Sequence, residues 1–95
     1  MEYFITFKAQ RPEDMLSDKE NFFERDGKKI RKGTMAAAVN NADIFESEAA
    51  TEAEKAEAIK ILKELAPTLN AFGLNKHFYW RNKALQAIFD DVEKQ

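Results

Sequence analysis

The chain has 95 residues, 44% of them hydrophobic and 34% charged, with no cysteine and a formal net charge of −2. That length makes one domain, 1–95, able to bury its own core, and the lack of cysteine excludes disulfides, thiolate nucleophiles and cysteine-based zinc sites. Apolar runs are too short to span a membrane and MEYFITFKAQ lacks the basic and apolar regions of a secretory signal, so the expectation is a cytoplasmic protein.

Residues 1–9 alternate. Met1, Tyr3, Ile5, Phe7 and Ala9 share one face, with Glu2, Phe4, Thr6 and Lys8 on the other, and this period of two predicts a strand. Arg11-Pro12 ends it. Pro12, Glu13 and Asp14 suit the first turn of a helix with Met15, Leu16, Lys19, Phe22 and Phe23 on one side. Asp26-Gly27 competes for the end of that helix. A two-residue type I′ turn there pairs Arg25 with Lys28, Glu24 with Lys29 and Phe23 with Ile30, giving a short hairpin over 22–32.

Gly33-Thr34 opens the next helix, with Thr34 as the expected cap and Met35, Val39, Ala42 and Phe45 as its stripe. The slim run Ala36-Ala37-Ala38 would let another backbone approach, and Asn40-Asn41 are expected to face water. Thr51-Glu52-Ala53-Glu54 spells a capping box for a third helix, whose apolar stripe runs from Ala58 to Phe72 and stops at Gly73, a left-handed terminator. Pro67 deletes an amide inside that pattern and is expected to kink the helix or split it into 52–66 and 67–72. Residues 76–81 read as a strand. Asn82 then caps a last helix with Leu85, Ile88, Phe89 and Val92 spaced i, i+3, i+4 and i+7. The fold class predicted is α+β: a small single domain of two or three short antiparallel strands packed against three or four helices.

Chemistry-bearing residues are few. The only serines, Ser17 and Ser47, lack a nucleophile-elbow setting, and the Asp90-Asp91 pair points in two directions on a helix. His77 has no second histidine to share a metal, and three scattered glycines cannot cradle phosphates, so no enzyme, metal or cofactor is expected. Gly33-Thr34 beside Arg31 and Lys32 fits a lone anion or, more simply, a capped helix start.

Two features remain. Lys76-His77-Phe78-Tyr79-Trp80-Arg81-Asn82-Lys83 gathers the only histidine, the only tryptophan and three cations. On a strand, Phe78 and Trp80 would fill the core while His77, Tyr79 and Arg81 formed a polar row able to meet a carboxylate, phosphate or amide. Charge is also segregated: residues 25–32 carry a local charge of +4 and residues 43–57 one of −5. Both runs equally fit solvated faces.

The function expected is a non-enzymatic interaction module, self-associating as a homodimer through aromatic and small-residue surfaces or binding another protein. Its candidate surface is His77, Tyr79, Trp80, Arg81 and Lys83 together with Lys28, Lys29, Arg31 and Lys32. The alternative is a small nucleic-acid-binding regulator using the basic 25–32 hairpin and the 76–83 stretch, which a pI near 5.4 opposes.

Overall fold

The computed structural model describes residue 11, residues 21–25 and residues 28–94, with backbone alone for Phe23, Arg25 and Lys28. The strand expected over 1–9, the body of the helix expected from Pro12 and the Asp26-Gly27 turn lie outside the described residues. The order of elements is β1 (Phe22–Arg25), β2 (Lys28–Arg31), α1 (Thr34–Glu46), α2 (Glu52–Phe72), α3 (Leu74–His77) and α4 (Lys83–Glu93).

Strands β1 and β2 pair antiparallel with Phe22 opposite Arg31, Phe23 opposite Ile30, Glu24 opposite Lys29 and Arg25 opposite Lys28. Phe22 and Phe23 therefore belong to a strand and not to a helix. The α+β expectation is nevertheless overturned, because the described residues are mostly helical and among them no layer of strands packs against the helices. The physical reason is size: two strands of four residues offer too little face to carry a core. The hairpin contributes the buried Ile30, and the core proper is built by helices.

Helix α1 packs most extensively on α2, and α4 covers α2 next. The core draws Ala38 and Ala42 from α1, Leu62, Ala66 and Leu69 from α2, and Leu85, Ile88 and Phe89 from α4. Alanines at the α1–α2 contact let the two backbones approach closely, as the Ala36–Ala38 run suggests, although only Ala38 of the three is buried. That choice rotates α1 away from the expected stripe. Met35 and Val39 are each 44% exposed, whereas Asn41, expected in water, is buried and donates from Nδ2 to the Ala37 carbonyl at 2.8 Å. Close packing against α2 selects the slim face and turns Met35 and Val39 outward, while Ala42 and Phe45 of the expected stripe still pack inward.

Helix ends follow local chemistry. Gly33, with φ at +92°, is the residue before α1; Thr34 does not cap, and its Oγ1 donates instead to the Arg31 carbonyl at 2.6 Å. The capping box at α2 forms both ways. Glu54 N–H donates to Thr51 Oγ1 at 3.1 Å, and Thr51 N–H donates to Glu54 Oε1 at 2.7 Å. Helix α2 runs unbroken through Pro67, so the expected split does not occur. Pro67 and Lys63 are both exposed, which leaves the carbonyl deprived of its amide on the solvent side.

Gly73, with φ at +107°, ends α2 and at once starts the single turn α3, held by the buried Leu74. This reversal removes the strand expected over 76–81. Residues 76–77 finish α3, and residues 78–80 pair with no strand among the described residues. Asn82 caps α4 as its sequence implies, Oδ1 accepting from Ala84 N–H at 2.8 Å and Leu85 N–H at 3.3 Å.

Candidate functional site

The piece Phe78–Trp80 is held at its start by Phe78 N–H, which donates to the Leu74 carbonyl at 2.8 Å, and at its end by the Gln86 side chain. Trp80 N–H donates to Gln86 Oε1 at 2.7 Å, while Gln86 Nε2 donates to Asn75 Oδ1 at 2.8 Å and Asp90 Oδ1 at 2.9 Å. Asn75 Nδ2 closes the triangle on Asp90 Oδ1 at 3.2 Å. Thus α3, the 78–80 segment and α4 share one polar knot centred on Gln86. Beneath it the Trp80 ring packs on the core, its centroid 5.4 Å from that of Phe89.

With Trp80 anchored inward, its neighbours are forced out. Phe78 is 61% exposed and Tyr79 87% exposed, so the expectation that Phe78 fills the core is corrected. Together with Met35 of α1, Leu74 and His77, these rings line a hollow of about 370 Å³. An adjoining hollow of about 310 Å³ continues it along Leu69 and Gly73. Val39, one turn along α1 from Met35, adds exposed apolar surface.

The sequence-predicted site residues divide accordingly. His77, Tyr79 and Trp80 line the hollow, and Arg81 and Lys83 follow it in exposed positions. Lys29 and Arg31 are exposed on β2, each with its cationic head 5.9 Å from the Phe22 ring centroid. Lys32 is exposed, and its amide donates to the Asn21 carbonyl at 2.7 Å; Lys28 is placed by its backbone pairing alone. Among the described side chains, Lys29, Arg31 and Lys32 do not line the hollow. Arg31 is tied to the start of α1 through its carbonyl, which accepts from Thr34 next to the lining residue Met35. Gln86 and Asn75 escaped sequence reasoning, while Met35 read as a core position and Asp90 as half of an acid pair without converging chemistry. Only the i, i+4 spacing of Gln86 and Asp90 hinted at a shared face.

The acidic run lies at the other end of α1. Asp43, Glu46, Glu48, Glu52, Glu54 and Glu57 are all exposed around the α1–α2 elbow. Asp43, Glu54 and Glu57 rim a hollow of about 620 Å³ whose floor includes Ile44, Ala58 and Ile61. Met35 and Glu46 stand eleven residues apart on α1, about 16 Å of helix rise. That exceeds the screening length of about 8 Å at physiological salt, so the acidic elbow and the aromatic hollow hardly attract each other within one chain.

Among the described residues no group of three His, Cys, Asp or Glu gathers to hold a metal ion, and no helix is long and apolar enough to cross a membrane. No protein-family model, curated protein or solved structure matches the chain.

Proposed function

We propose that this chain is a non-enzymatic interaction module that self-associates, a homodimer being the smallest form, with Met35, Phe78 and Tyr79 at the contact. One observation carries the reading: Phe78 and Tyr79 stand 61% and 87% exposed beside an apolar hollow. Burying such a ring stabilises a protein by about 1.5–3 kcal/mol, and a fold that turns two of them outward forgoes that gain. Contiguous exposed apolar surface of this kind marks interaction sites, and aromatic and arginine side chains dominate the centres of interfaces. The cysteine-free composition suits a reducing, cytoplasmic setting.

Light scattering on the size-exclusion peak tests the reading. The wild-type chain is expected above its monomer mass of 10.9 kDa, and Tyr79→Ala is expected to shift it to the monomer with the melting temperature unchanged. A wild-type chain that stays at monomer mass across a concentration series refutes it.

A second reading, a small nucleic-acid-binding regulator, draws support from the Arg31–Thr34 bond, which ties the basic hairpin to the helix end bearing Met35. Exposed rings among cations are what single strands stack upon. The net charge of −2 weighs against it. An oligonucleotide that fails to bind at low ionic strength dismisses this second reading.

A further inference from the structure

We infer that self-association is head-to-tail: the aromatic, basic end of one copy docks on the acidic α1–α2 elbow of a second copy. This rests on the self-association proposed above and names its partner surface. The argument is charge. Lys76, Arg81 and Lys83 are exposed around the aromatic hollow, with Arg31 tethered close by at the start of α1. Among the described residues Asp90 stands at this end, and it already accepts from Asn75 and Gln86. A two-fold contact through this end would bring each copy's cations against the same cations of its partner, and like charges so placed oppose association.

The elbow offers the complement. Its hollow has an apolar floor at Ile44, Ala58 and Ile61, fit for a ring, and a rim of Asp43, Glu54 and Glu57, fit for cations. The aromatic end supplies Phe78 and Tyr79 flanked by such cations, so apolar meets apolar and opposite charges face each other. Asp43 stands eight residues from Met35 on α1, about 12 Å of helix rise, and this separation by more than one screening length leaves the attraction for another molecule to satisfy. A contact between different surfaces leaves one of each free on every pair, and so repeats into rings or chains.

Two variants in exposed positions, taken singly and mixed, test the inference by light scattering. The head variant carries Tyr79→Ala with Arg81→Gln, and the tail variant carries Asp43→Asn with Glu57→Gln. Each alone is expected to weaken association at least about tenfold and run at 10.9 kDa. Their equimolar mixture is expected to recover a species of twice that mass, because an intact tail then meets an intact head. Wild-type association is expected to fall as salt rises. If the tail variant associates like wild type while the head variant does not, the contact is two-fold: this inference is overturned and self-association stands. If the wild-type chain is monomeric at every concentration, self-association fails as well.

Discussion

Replacing Gln86 with alanine probes the knot that sets the aromatic surface. Gln86 makes three hydrogen bonds, to Trp80 N–H, Asn75 and Asp90, at 2.7, 2.8 and 2.9 Å. Neutral hydrogen bonds contribute about 0.5–1.5 kcal/mol each, and those involving a charged group such as Asp90 somewhat more. Two of the three are partly buried, and the third is exposed, where water replaces much of its value. The part-buried Trp80 amide would be left without its acceptor. The sum is a destabilisation of about 1.5–3 kcal/mol, which for a domain of this size lowers the melting temperature by several degrees. Thermal and urea unfolding followed by circular dichroism measure it. Trp80 is the only tryptophan, so its fluorescence reports separately on whether the 78–80 segment still seats on Phe89. Gln86→Ala is expected to shift that emission to the red in the folded protein. A stability change below about 0.5 kcal/mol, the usual range for an inert surface site, together with unchanged emission would refute the argument that Gln86 holds the segment.

Gly73→Ala is expected to cost about 1–2 kcal/mol in unfolding free energy, from the left-handed backbone alone. The added Cβ meets only His77 Cδ2 at 3.9 Å, an ordinary contact. Thr51→Ala removes one arm of the capping box and is expected to lower stability by about 1 kcal/mol, read from urea midpoints. Trp80 Nε1 is buried without a hydrogen-bond partner among the described residues. Trp80→Phe is therefore expected to be tolerated within about 1.5 kcal/mol, whereas Trp80→Ala should lose about 3–5 kcal/mol; equal losses for both would mean the indole N–H is satisfied in solution.

Features whose cause is local were legible in the chain. The Thr51–Glu54 capping box, the left-handed Gly73, the Asn82 cap and the Leu85–Val92 stripe all appear where their residues imply, because each depends on neighbours within about one helical turn. The β1–β2 register likewise matches what a two-residue turn dictates. Features whose cause is distant were not legible. Alternation over 76–81 resembles a strand, yet a strand exists only where a partner edge stands ready, and here the Gly73 reversal and the Gln86 side chain take the backbone elsewhere. The Met35–Val39 stripe reads as a core face, but the α1–α2 contact is decided by which side lets two backbones approach, and the alanines and Asn41 win. In the same way, which of Phe78, Tyr79 and Trp80 goes inside depends on the position of Phe89. Sequence alone determined the Thr51 and Asn82 helix starts, the Gly73 stop, the register a two-residue turn imposes and the separation of charge along the chain. Tertiary structure decided which apolar faces were left outside, because that choice is a competition for one core among elements far apart in sequence.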